Sequence, residues 1–185
     1  MSKVKFGLSN AYWAKCTVAS DGTVTYGTPV KEPGFVSLSL QNSATENIFW
    51  ADNIQYYRSA GGQGYSGTME FARLSEDFRK DILGETLEST DKVLVENAED
   101  TSSPFALMYQ VEEDAGKSYR VLYYIQAGKI PIEANTLTDT TEPQTDTIDI
   151  TVSPVPDTYD LKAHTTDETP TATVEAWYTS VWRPA

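Results

Sequence analysis

DTIDITVS, residues 146–153, sets Ile148, Ile150 and Val152 against Thr147, Asp149, Thr151 and Ser153 in strict alternation. Successive side chains of an extended chain point to opposite faces, so a period of two gives one apolar and one polar face. Such a strand packs one side on a core and shows the other to water, the habit of antiparallel sheets. FVSLSLQ (35–41) repeats the pattern, with Val36, Leu38 and Leu40 opposite Ser37, Ser39 and Gln41. SGTMEFA (66–72) places Gly67, Met69 and Phe71 opposite Ser66, Thr68 and Glu70. More strand material lies in AYWAKCTV (11–18), FALMYQV (105–111) and SYRVLYYIQA (118–127). Asp21-Gly22, leading into TVTYG, is a hairpin signal, and EEDAGK (112–117) predicts a second.

Two segments break the period. LSEDFRKDILGE (74–85) offers Ser75 as N-cap, acids in the first turn and Gly84 as C-cap, which predicts a short helix packing Phe78 and Ile82 onto the sheet. In TPTATVEAWYTSVWRP (169–184), Thr169 is the expected cap and Pro170 the first helical residue. Val174, Trp177, Tyr178, Val181 and Trp182 then share one helical face. The polar, proline-marked residues 154–168 between the last strand and this helix predict an extended arm or long loop. The fold class is therefore mainly β (α+β), antiparallel, with one short flanking helix and a C-terminal helix. A chain of 185 residues is expected to form a single domain, 1–185.

With 14 basic against 27 acidic residues the net charge is −13. Ten acids and two bases (Lys162, Arg183) fall from Ile132 onward, so −8 of the −13 sits there. Such a chain is expected to avoid gripping phosphate backbones. The single cysteine, Cys16, excludes an internal disulfide. MSKVKFGLSNA at the start has lysines without a following apolar run, which argues against a signal peptide, and no stretch reaches the ~20 apolar residues of a membrane span. Synthesis in a cytoplasm is the expectation.

Catalytic chemistry finds little footing. A Ser-His-Asp or Cys-His arrangement would rest on His164, the only histidine, in a threonine-rich segment. Zinc and iron sites want several His or Cys ligands, so no metal is expected. Gly62-Gln63-Gly64-Tyr65-Ser66-Gly67 fits G-x-G-x-x-G, but a strand pattern follows it where a dinucleotide loop needs a helix. These are read as turn glycines. Glu112-Glu113 and Glu99-Asp100 lack a calcium-loop spacing and read as solvated hairpin acids. No enzyme activity and no cofactor are expected.

ENIFWADNIQYYRSAGGQGYSG (46–67) joins Phe49, Trp50, Tyr56, Tyr57 and Tyr65 to a run of glycines, a sticky segment on adaptable backbone. In order along the chain, KFGLSNAYWA, PGFVSLSL, FWADNIQYY, GYSGTMEFARLSEDFRKDILGE, EPQTDTIDITVSP and TTDETPTATVEAWYTSVWRP resemble the major tail proteins of long-tailed, non-contractile bacteriophages. The likeness runs through nearly the whole chain, is densest over 35–85 and thinnest over 86–118.

The resemblance implies a β-sandwich or barrel of the tail-tube type. Copies would close into hexameric rings, stacked as a hollow virion tube through which DNA leaves. Its partners would be itself, the tape-measure, tail-tip and tail-terminator proteins, and DNA that passes without specific binding; no membrane is involved. Residues 46–65 would be the long inter-strand loop between rings, with Phe49, Trp50, Tyr56, Tyr57 and Tyr65 as its contacts. Residues 153–185 would form a C-terminal arm and helix, docked through the helix and with 153–168 free to reach a neighbour. Strands 35–41, 66–72 and 146–153 would line the lumen, presenting Ser37, Ser39, Gln41, Ser66, Thr68, Glu70, Thr147, Asp149, Thr151 and Ser153. The competing expectation is a monomeric carbohydrate-binding β-sandwich that stacks sugars on exposed Trp and Tyr faces.

Overall fold

The computed structural model describes residues 4–43, 45–51, 54–61, 64–114, 116–132, 136 and 144–184, with backbone only over 45–61. The first half holds β1 (Lys5–Val18), β2 (Val24–Tyr26), β3 (Val30–Glu32), β4 (Phe35–Asn42), β5 (Thr45–Ala51), β6 (Ile54–Gly61) and β7 (Tyr65–Phe71). After α1 (Glu76–Phe78) come β8 (Thr86–Leu87), β9 (Leu94–Val95), β10 (Phe105–Glu113), β11 (Gly116–Ala127), β12 (Asp146–Val152), β13 (Lys162–His164) and α2 (Thr171–Glu175). The large sheet runs β2-β1-β10-β11-β12-β7-β4, with β3 on β1 and β13 on β11, and all its pairings are antiparallel. The protein is thus mainly β, with two short helices.

The alternation in residues 146–153 holds residue by residue: Ile148, Ile150 and Val152 are buried while Thr147, Asp149 and Thr151 are exposed. Burying each of these branched side chains contributes roughly 1.5–3 kcal/mol. β10 differs because it lies mid-sheet and is covered on both faces. Phe105, Leu107, Tyr109 and Val111 join a core with β7, β12 and the helix, whereas Ala106 and Met108 join a second core under the C-terminal segment.

β4 departs from its expected phase. A bulge between Phe35 and Ser37 turns Phe35 inward, stacked on Phe71 at 4.8 Å, and leaves Val36 46% exposed. An extra residue in one strand shifts every side chain before it to the other face. Gly67 and Gly64 are also not turn residues: both let strands approach closely. A β-carbon at Gly67 would fall onto the Ser39 carbonyl oxygen, and one at Gly64 onto that of Val152. Gly67→Ala is therefore expected to destabilise by about 2 kcal/mol, the typical cost of overpacking, read as a shift in urea midpoint.

The expected helix over 74–85 forms. Ser75 Oγ accepts from Phe78 N at 3.1 Å, Phe78 and Ile82 are buried, and Gly84 closes it in the left-handed region. Arg79–Leu83 widens into a π turn. The C-terminal helix is shorter than its apolar stripe predicts. It stops at Glu175, Pro170 occupies the cap position, and the Thr169 hydroxyl instead accepts from Thr166 N at 2.9 Å. Thr171, Thr173, Thr179, Ser180 and Val181 are poor helix formers, so packing rather than propensity sets the path beyond it. Trp177 is buried, with its ring 6.3 Å from Tyr119, and Tyr178 stacks on Tyr12 at 4.3 Å.

Residues 153–168 do not hang free. Ser153 N donates to Tyr124 O at 2.9 Å, Tyr123 N to Leu161 O at 3.1 Å, β13 pairs with β11, and Val155 is fully buried. The open edge of β11 needed a partner for its backbone groups, and this segment is the nearest extended chain that supplies one.

Candidate functional site

β4, β7 and β12 lie side by side, and their registers place the exposed and half-exposed polar residues in transverse rows. Ser37 faces Glu70, which faces Thr147; Ser39 faces Thr68, which faces Asp149; Gln41 faces Ser66, which faces Thr151. Nine side chains expected on a common polar face are therefore brought together. The apolar face of the same strands supplies Leu38, Leu40, Met69, Ile148 and Ile150 to the core.

Within this face the Glu70 carboxylate accepts from Thr145 Oγ1 and, at 2.8 Å, from Ser37 Oγ. Those bonds, Thr145's first, hold its pKa below the ordinary carboxylate value, so the charge persists into mild acid. A depressed folded-state pKa makes this contribution fully present above the unfolded value and lost as pH falls through the folded one. Asp149 is exposed on β12 opposite Thr68. None of the nine is basic.

In place of the long loop expected over 46–65, β5 (Thr45–Ala51) and β6 (Ile54–Gly61) form an antiparallel ribbon. Thr45 pairs with Gly61 and Ala51 with Ile54, with a bulge between Phe49 and Trp50. β5 and β6 make a two-stranded sheet of their own, outside the main sheet. They leave from the end of β4 and return to the start of β7, so two strands of the polar face lead directly into the ribbon. The side chains of Phe49, Trp50, Tyr56 and Tyr57 lie outside the described residues. Tyr65, at the foot of the ribbon, is half-buried against its own protomer's core, with Lys162 Nζ 4.7 Å from its ring centroid.

The candidate nucleophile is spent on packing. Cys16 is buried, its thiol donates to Tyr123 O at 3.5 Å, and burial pushes its pKa up to about 12, away from thiolate chemistry. His164 stands exposed on β13, paired with Arg120 across the strands. Glu112 and Glu113 are engaged by Lys117 at 3.6 Å and Arg120 at 3.3 Å. The residue after Gly64 begins a strand, not a helix. Among the described residues no group of three or more His, Cys, Asp or Glu could hold a metal ion.

Two arrangements escaped the sequence reading. Glu32 is a buried carboxylate tying β3 to the helix cap, and Lys5, Arg120, Lys162 and His164 line one cavity of about 430 Å³. Apart from Lys162 and His164, members of each group lie tens to more than a hundred residues apart, so no local spacing pointed to them. No family model matches the chain, and comparison with curated proteins finds no similar sequence.

Proposed function

We propose that this chain is the major subunit of a bacteriophage tail tube. Copies close head to tail into hexameric rings, the rings stack, and the β4-β7-β12 face lines the bore. The observation that carries the reading is the polar face itself, three strands wide and without a basic side chain, on strands that lead into a separate ribbon. A conduit must let DNA slide, and each Lys or Arg meeting a phosphate would add a counterion-releasing contact that holds it. The order of tail-protein phrases along the sequence points the same way. Tail particles imaged by electron microscopy and separated on a gel should contain this chain as the most abundant tail subunit. Finding it only as a minor tip component, or outside virions, would overturn the proposal.

In this reading the ribbon spans from one ring to the next, and its aromatics bury area on a neighbouring copy. Phe49→Ala combined with Trp50→Ala is then expected to leave monomer stability within about 1 kcal/mol while abolishing tubes in negative stain, because the lost area lies between subunits. Unfolding by several kcal/mol would instead place these rings in the protomer's own core.

The bore carries Glu70 and Asp149 from every copy. Glu70→Lys with Asp149→Lys should permit assembly yet slow DNA ejection by about tenfold or more, most visibly at low salt where screening is weakest. Ejection at the unaltered rate would remove these residues from the DNA's path.

A further inference from the structure

The cavity at the foot of the ribbon concentrates positive charge in a chain of net charge −13. Lys5 comes from the start of β1, Arg120 from β11, Lys162 and His164 from β13. Tyr65 and Tyr109 form its aromatic wall, with the Lys162 ammonium over the Tyr65 ring. Arg120 shares its charge with Glu113, which also stands opposite Lys5 across β1 and β10, but neither Lys5 nor Lys162 forms an ion pair within 4.0 Å among the described residues. Like charges gathered around an open, partly apolar cleft raise the local concentration of anions.

Acidity is concentrated at the other end of the molecule. Between Glu88 and Asp100 five acids accompany one lysine, on the turn and flanks of the β8-β9 ribbon, while the neighbouring Glu85 is buried and paired with Arg79 at 3.0 Å. Glu96 is held by Lys129 at 2.7 Å, Glu88 accepts from Thr90 N and Asp91 N, and Asp100 accepts from Asn97 N. Asp91 and Glu99 are exposed and have no ion-pair partner among the described residues. Lys129 follows the end of β11, whereas Arg120 lies near its start. Nine residues of extended chain put Arg120 and Lys129 on the order of 30 Å apart, so the base of the acidic ribbon, where Lys129 holds Glu96, stands well away from its own protomer's cavity.

We infer that the cavity receives the β8-β9 ribbon of a second copy, with Asp91 and Glu99 meeting Lys5 and Lys162. A donor surface at one end and its acceptor at the other make a heterologous, head-to-tail contact, the kind that closes rings or extends stacks. Charge complementarity selects the partner: the same cleft that attracts this ribbon discourages contact between two cavities, and the two acidic ribbons repel each other. The inference adds a specific contact to the tail-tube reading without requiring that tubes form.

The test is zero-length carbodiimide cross-linking of concentrated full-length protein, mixed from ¹⁴N- and ¹⁵N-labelled batches so that links between copies are identified by mass. Links from Lys5 or Lys162 to Asp91 or Glu99 are expected, at least about tenfold fewer in Lys162→Glu with Lys5→Glu, and restored when Asp91→Lys and Glu99→Lys protein is mixed with that variant. Circular dichroism melts of each variant confirm that the fold is retained. Links between copies that bypass both lysines, or no links at all, would overturn the contact. So would protection of the lysines by inorganic phosphate or citrate in protein that forms no such links, since the cavity would then be a small-anion site. Tubes whose links join other residues would sink the contact and leave the tail reading standing; the expected links in a protein absent from tails would do the reverse.

Discussion

Glu32→Ala is expected to lower stability by about 3–5 kcal/mol, read from urea denaturation at fixed slope. The Glu32 carboxylate is 2% exposed and accepts three hydrogen bonds. Trp13 Nε1 donates at 3.0 Å, Ser75 N at 2.7 Å and Ser75 Oγ at 2.7 Å. Alanine leaves the buried indole N–H and the half-buried Ser75 N–H without the acceptor they share, each costing up to about 1–3 kcal/mol. The damage would spread, because Ser75 Oγ in turn accepts from Phe78 N and so caps the helix. Phe78 then anchors that helix edge-on against Trp13 and Phe105, with ring centroids at 5.8 and 5.4 Å. Glu32→Gln should fall between wild type and alanine, since one amide oxygen still accepts while the new NH₂ faces donors. A loss below about 1 kcal/mol for alanine would mean that water takes over these donors.

Trp177→Ala is expected to cost about 3–4 kcal/mol, the range for deleting a buried aromatic ring. Its indole is 3% exposed in the second core, near Tyr119 and stacked with Trp182 at 6.2 Å. Trp177→Phe should behave differently and cost less than about 1 kcal/mol. Among the described residues the buried Trp177 Nε1–H has no acceptor, so removing it relieves an unmet polar group and offsets part of the lost area. A Trp177→Phe loss as large as the ring area it removes would cost, about 1 kcal/mol or more, would show that the unmet N–H contributes nothing. The chain around Trp177 is held independently. Arg183 donates to Asp157 at 2.7 Å and to Val24 O at 3.0 Å, an attachment that survives either substitution.

Alternation and caps were legible in the residues alone. Period-two runs at 35–41, 66–72 and 146–153 gave the strands, and those of 66–72 and 146–153 gave the faces as well, because which side a side chain takes in extended backbone depends only on its neighbours' parity. Ser75 and Gly84 marked a helix because a hydroxyl acceptor and a left-handed residue act within one turn. Alternation gave the polar rows of the candidate site only strand by strand; a shared face was expected from the resemblance, and only the structure sets β7 between β4 and β12. Tertiary structure alone decided the rest. It set Phe35 inward at the expense of Val36, turned the aromatic-glycine segment into a ribbon, ended the last helix at Glu175 and laid residues 153–168 along β11. It also gathered Lys5, Arg120 and Lys162 around one cleft. Except in the ribbon, whose strands pair locally, the deciding term is a contact between residues far apart in the chain, such as an open strand edge or the packing of Trp177, and such contacts outweigh the few tenths of a kcal/mol per residue by which local propensity speaks.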